Sequence, residues 1–138
     1  MKVIIAGSRE YDDFDSVCAA IEESGFEITE VVSGGAKGVD LLGEQWAKQN
    51  KIPIKKFVPD WKDLKAEGAI IKQGAYGKYN ANAGFDRNKA MAQYADALIA
   101  INLGTNGTDN MVGEATEAGI KVFEVKAQKE ESKYRYVF

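Results

Sequence analysis

Two uninterrupted apolar runs, Lys2–Ala6 (KVIIA) and Ala97–Leu103 (ALIAINL), constrain the fold more than any other feature of this chain. A strand with one wet face alternates apolar and polar residues. Runs that do not alternate, and that carry β-branched residues, need helices over both faces, as in the middle of a parallel sheet. The segments between them supply those helices. Phe14, Val17, Cys18 and Ile21 recur at helical spacing behind Asp12 and Asp13, either of which can cap, and Gly25 stops the run. Val39, Leu42, Gly43, Trp46 and Ala47 form a second apolar face, and further helices are expected over 86–95 and 109–118. Weaker strands are expected over 27–32, over 52–58, where Pro53 suits an edge, and over 121–125. The order βαβαβ, excursion, αβαβ gives an α/β class. The expected fold is a doubly wound, mostly parallel five-stranded sheet of order 3-2-1-4-5 with helices on both faces. The whole of 1–138 is expected to be one domain, with an irregular excursion over about 62–85 and a tail over about 127–138.

Composition narrows the chemistry. There is no histidine, which excludes His-based triads, His metal ligands and imidazole acid–base steps. The single cysteine, Cys18, sits at core spacing, so no intrachain disulfide is expected and no metal site is expected either. A net charge of −3 makes nucleic acid an unlikely partner, since phosphate neutralisation needs clustered Lys and Arg. No apolar run reaches membrane-spanning length, and Lys2 enters the first strand directly. No membrane segment or leader is therefore expected, and a cytoplasmic location is.

In the expected topology three polar loops reach one rim, beyond the strand C-termini at the switch point where α/β sheets bind ligands. They are Gly7-Ser8-Arg9, Ser33–Asp40 and Gly104–Asn110. Ser33-Gly34-Gly35-Ala36-Lys37-Gly38-Val39-Asp40 joins a strand to a helix and suits a backbone that turns sharply and exposes N–H groups to an anion. The classical GxGxxG and Walker patterns are absent. The excursion mixes Gly68, Gly74, Gly77 and Gly84 with Lys62, Lys65, Lys72, Lys78, Tyr76 and Tyr79. It reads either as a solvated segment with a short helix near 62–73 or as a flap, its tyrosines stacking on a base and its lysines meeting phosphate.

With those loops in place, a family pattern emerges. Gly7-Ser8-Arg9, Ser33-Gly34-Gly35-Ala36-x-Gly38-x-Asp40, Trp46-Ala47, Asp60-Trp61, Arg87-Asn88-x-x-Met91, Ala95-Asp96 and Gly107-Thr108-x-Asn110 together resemble the YspA-like (cpYpsA-related) branch of the SLOG superfamily, also called DUF2493. The resemblance implies a Rossmann-like fold in a bacterial or phage-encoded protein. It implies a small-molecule ligand, a nucleotide or a nucleotide-derived (phosphoribosyl) compound, and frequent homo-oligomers. A more distant resemblance is to the lonely-guy phosphoribohydrolases, which cleave the N-glycosidic bond of nucleoside monophosphates. Their pattern is met at Arg87, Met91, Gly104, Gly107 and Thr108. It is broken where Asn88 replaces a lysine and where Met111 stands in place of the catalytic glutamate.

The residues then divide by chemistry. Arg87 and Arg9 suit a phosphate, and Gly7, Gly34, Gly35, Gly38, Gly104 and Gly107 offer backbone N–H groups. Ser8, Ser33 and Thr108 offer hydroxyls. Asp40 suits a ribose hydroxyl or simply the positive end of a helix. Asn88 and Asn110 suit a base edge or a cap, and Asp60 and Trp61 suit the wall of the cleft. For hydrolysis, Glu114 is the candidate carboxylate in place of the missing one. No cofactor is evident, and Mg²⁺ is expected only alongside a bound nucleotide. The leading expectation is a ligand-binding sensor or sequestering protein. The alternatives are a nucleotide N-glycosidase and a DNA-associated module, since the DNA-processing protein A family shares the superfamily.

Overall fold

The computed structural model describes residues 1–66, 68–75, 77–129 and 134–137. In chain order the elements are β1 (Lys2–Gly7), α1 (Phe14–Ser24), β2 (Glu30–Ser33), α2 (Val39–Gln49), β3 (Ile54–Lys56), β4 (Ile71–Gly74), β5 (Gly77–Asn80), α3 (Ala83–Tyr94), β6 (Ala97–Asn102), α4 (Asn106–Glu117), β7 (Lys121–Lys129) and β8 (Tyr134–Val137). The main sheet runs β3-β2-β1-β6-β7-β8. Its first five strands are parallel, and β8 pairs antiparallel with β7.

The two apolar runs are the adjacent central strands β1 and β6, and their period of two divides the core. Val3 and Ile5, with Ala97, Ile99 and Ile101, face one way and pack with Val17 and Ile21 of α1 and Val39 and Ala47 of α2. Ile4 and Ala6, with Leu98 and Ala100, face the other way and pack with Met91 and Ala92 of α3 and Met111 and Ala115 of α4. Each fully buried aliphatic side chain contributes about 1.5–3 kcal/mol, which is why neither strand tolerates a wet face. Tyr11, in the β1–α1 connection, is almost wholly buried in the first of these layers. Asp13 caps α1 by accepting from the Ser16 amide at 3.2 Å.

Two expectations need correction. The strand order 3-2-1-4-5 differs in detail from the observed parallel run β3-β2-β1-β6-β7, because the excursion holds two strands of its own and the tail adds the antiparallel β8. The excursion also holds regular structure, and among the described residues no helix forms near 62–73. Turns over 61–65 lead into the β4–β5 hairpin, paired from Ile71↔Asn80 to Gly74↔Gly77, and α3 starts at Ala83 rather than at 86. Alternating Lys and Gln with Ile and Tyr across a short Gly-flanked turn favours pairing over a helix there. Among the described residues no helix is long and apolar enough to cross a membrane.

Candidate functional site

The chain reverses direction across the sheet between β1 and β6. Beyond the C-terminal ends of these two strands lies a cavity of about 320 Å³. Its floor is apolar, made by Ala6, Met91 and Met111. Its walls carry Gly7 at the end of β1 and Arg9 just after it, Asp40 from α2, Arg87 and Asn88 from α3, and Thr105, Gly107 and Thr108 at the start of α4. A methionine floor cannot serve as an acid or base, whereas the walls carry two arginines, two carboxylates (Glu10 and Asp40) and two threonine hydroxyls.

Arg87 organises the site. Its Nη1 donates to the Gly34 carbonyl at 2.6 Å and its Nε to Asn88 Oδ1 at 3.0 Å. Asn88 Nδ2 in turn donates to Asn110 Oδ1 at 3.0 Å and to the Gly107 carbonyl at 3.3 Å, tying α3 to the first turn of α4. The guanidinium is thus held from two sides. Nη2 has no protein partner among the described residues and can point donors at an anion. Burial lowers its pKa and the nearby Asp40 opposes that shift, but a guanidinium starts so high that it stays charged.

Asp40 is the second charged group. It is buried, and its Oδ2 accepts from the Ala36 amide at 3.3 Å. Loss of solvent raises its pKa to about 6, against the opposing pull of Arg87 and of the Ala36 and Gly7 amides. Its placement depends on a bare backbone. A Cβ added at Gly34 would meet Arg87 Nη1 at 2.5 Å and Asp40 Oδ2 at 2.8 Å. Gly38, at φ +79°, lies against the first loop so closely that a Cβ there would sit 2.2 Å from the Ser8 carbonyl oxygen.

The Ser33–Asp40 loop is therefore built differently from an open anion cradle. The Gly35 amide donates to Ser33 Oγ at 3.0 Å, the Ala36 amide to Asp40, and the Val39 amide to the Ser8 carbonyl at 3.4 Å. Ser33, fully buried, donates to Glu44 Oε2 at 2.6 Å, and Glu44 pairs with Lys56 Nζ at 3.1 Å. Three of the loop's amides are thus committed, two within the loop and one to the β1 loop, and the cationic side chains on the cavity are Arg9 and Arg87 from other segments. On the opposite side Ser8 Oγ accepts from the Leu103 amide at 2.9 Å and lies 3.3 Å from Thr105 Oγ1, which is 2.9 Å from Thr108 Oγ1. A hydroxyl chain thus runs from the β1 loop to the start of α4. Thr105 makes no side-chain cap on that helix, so the first-turn amides are not closed off by its hydroxyl.

Of the residues expected at the site, Gly7, Arg9, Asp40, Arg87, Asn88, Gly107 and Thr108 line this cavity. Ser8, Gly34 and Asn110 stand directly behind it as partners of those side chains. Ser33, Gly35, Gly38 and Gly104 shape the loops without lining it. Gly104 donates from its amide to Asn102 Oδ1 at 2.8 Å. Asp60 lines a neighbouring hollow of about 230 Å³ that shares Arg87, and Trp61 lines a further one. Glu114 is not brought to the site. It lines a separate groove with Lys89, Gln93 and Glu117, because one further turn carries it away from Met111. Thr105 and Glu10 line the cavity although they were not expected there, and Met111 lines it at the position where the resemblance puts a catalytic glutamate. For Thr105 the signal was present, a hydroxyl within the same Gly-rich loop. Tyr76 of the expected flap lies outside the described residues, as do residues 130–133 and Phe138 of the tail.

Comparison with known families meets this geometry in its first half. Residues 1–63 match the model of the YspA, cpYpsA-related SLOG family (YAcAr). The match supports the YspA-like SLOG branch. It contains the β1 loop, the Ser33–Asp40 loop and Asp40, while Arg87, Asn88 and the α4 start lie beyond it. No curated protein matches the chain. Among solved structures, DNA processing protein A (DprA) from Streptococcus pneumoniae superposes with a TM-score of 0.67 at 23% identity, covering 89% of this chain and 49% of that one. The chain thus spans about half the length of that protein, and the likeness is one of fold. Among the described residues no group of three or more acidic or thiol side chains is arranged to hold a metal.

Proposed function

We propose that the chain binds a nucleotide or nucleotide-derived, phosphoribosyl ligand at the C-terminal edge of the sheet and acts as a sensor or sequestering protein. The observation that carries this reading is Arg87. It is a part-buried guanidinium braced by Gly34 and Asn88 that lines the same cavity as Thr105 and Thr108. A phosphate there receives charge-assisted bonds from an already oriented donor, so little side-chain entropy is lost on binding. Any Mg²⁺ would arrive with the nucleotide phosphate.

Arg87→Gln keeps the approximate shape and removes the charge. Since a hydrogen bond to a charged group contributes about 1.5–3 kcal/mol, the variant should bind ribose 5-phosphate roughly 10- to 100-fold more weakly by calorimetry. Unchanged affinity would remove Arg87 from the site. A ligand that binds only the native state also raises the melting temperature with concentration, and no shift with any nucleotide would defeat the reading.

One observation favours the N-glycosidase alternative. Asp40 is a buried carboxylate on the cavity wall with its pKa pushed up to about 6, a value suited to proton transfer near neutral pH. Release of free base from nucleoside monophosphates, absent in Asp40→Asn, separates an enzyme from a binder. The DNA-associated alternative draws on DprA, a DNA processing protein by name, and a net charge of −3 speaks against it. Retention on DNA at low salt would revive it.

A further inference from the structure

The segment between β3 and α3 is not needed to build the sheet, yet it carries aromatic rings and cations toward the same rim. Beneath the β4–β5 hairpin is the hollow lined by Trp61, of about 440 Å³, walled also by Lys62, Lys78 and Tyr79 and by Arg9. Arg9, an exposed residue, also lines the rim cavity, so the two spaces share one wall residue. Both rings are held in place by local geometry. Trp61 accepts from the Asn80 amide through its carbonyl at 2.6 Å, and its indole edge fills the space at Gly84, where a Cβ would be 3.2 Å from Cη2. The Tyr79 ring lies across Gly74, with Cδ1 and Cε1 each 3.2 Å from where a Cβ would stand. Trp61 is nevertheless 38% exposed, a large apolar ring left facing water beside three cations.

We propose that this hollow is the base-stacking subsite of the ligand site. The ligand's phosphate sits at Arg87, its sugar passes Arg9, and its base lies against Trp61 and Tyr79. The inference rests on the nucleotide reading above and sharpens it, because it makes the base, and not only the phosphoribosyl part, a recognised group. Stacking accepts any base, since every base offers a π-face. The lysines and Arg9 favour an anionic ligand over a neutral aromatic one.

The test compares ligands that differ only by the base. The full chain is titrated with ribose 5-phosphate and with AMP, GMP, CMP and UMP, by calorimetry and by tryptophan fluorescence, in the wild type, Trp61→Leu, Tyr79→Leu and Lys78→Ala. At least one monophosphate should bind roughly 10- to 100-fold more tightly than ribose 5-phosphate, the range expected of one stacked base. It should also quench fluorescence that Trp61→Leu abolishes while Trp46 remains. Trp61→Leu or Tyr79→Leu should remove the base-dependent gain and leave ribose 5-phosphate affinity unchanged. Should one ring variant fail to fold, the other, with the wild-type quench, still decides. Equal binding of ribose 5-phosphate and all four monophosphates, or a gain that survives both ring variants, overturns the subsite and leaves the phosphate reading standing. No binding of any of these ligands defeats the nucleotide reading and the subsite with it.

Discussion

The rim cavity and the hairpin region differ in how far their side chains are buried and committed to partners. At the rim, Arg87, Asp40, Asn88 and Ser33 are each committed to a backbone or side-chain partner, and Gly34 and Gly38 leave no room for even a methyl group. In the hairpin region Trp61, Leu64, Ile70 and Ile71 stand partly in water, and Gly77, also at positive φ, has open space where a side chain would go. Charged groups at the rim must be pre-positioned, because burying an unpaired charge is costly. Aromatic rings under a hairpin need only be presented. Damage at the rim should therefore be structural and large, and damage at the hairpin local and confined to binding.

Gly38→Ala probes the tight side. It forces a residue with a Cβ into a backbone region that only glycine occupies readily, against a carbonyl oxygen that cannot yield. A loss of at least about 3 kcal/mol in urea unfolding is expected. A loss below about 1 kcal/mol would mean that the loop relaxes and is not close-packed. Gly77→Ala, by contrast, meets no atoms and carries only conformational strain, roughly 1–2 kcal/mol.

Asp40 gives a second contrast, read through pH. Its native pKa is about 6 against an ordinary 3.8, so the native state holds the proton more tightly than the unfolded chain. Stability from this group is complete below pH ~4 and falls as pH rises to ~6. The total cost at neutral pH is on the order of 3 kcal/mol. Asp40→Asn should flatten that part of the pH–stability curve, measured by thermal melting from pH 4 to 7.5. A wild type with the same slope as the variant would show that Asp40 titrates normally. The hairpin should give the smallest effect. Ile71→Lys, on a strand position 45% exposed, should change stability by no more than about 0.5 kcal/mol. A larger loss would mean that something packs on that face.

The central strands were legible because buried parallel strands leave an unmistakable pattern, and β1 and β6 carry it. The three rim loops could be read because each follows a strand and opens toward a helix. The hairpin was not legible. Ile71, Gln73 and Tyr79 give too weak an alternation over four-residue strands to outweigh the interspersed glycines. Tyr11 was missed for a different reason: it is a core residue in a connection, where no period marks it. Ser33 is a plausible phosphate donor in sequence, but what its hydroxyl bonds is set by Glu44, eleven residues later and one helical turn into α2.

By itself the sequence determined that strands and helices alternate, which strands lie in the middle, and that three polar loops share one edge. These follow from local periodicity and capping, which act over a few residues. Only the tertiary structure decided which loop groups remain available. In the Ser33–Asp40 loop the Gly35, Ala36 and Val39 amides turn to Ser33, Asp40 and Ser8, and Arg87, 53 residues beyond Gly34, is braced on the loop through the Gly34 carbonyl. Burial and partner choice depend on contacts between distant segments. A carboxylate at about pH 6, a braced guanidinium and a hollow joined to the rim through Arg9 arise only once the sheet has brought those segments together.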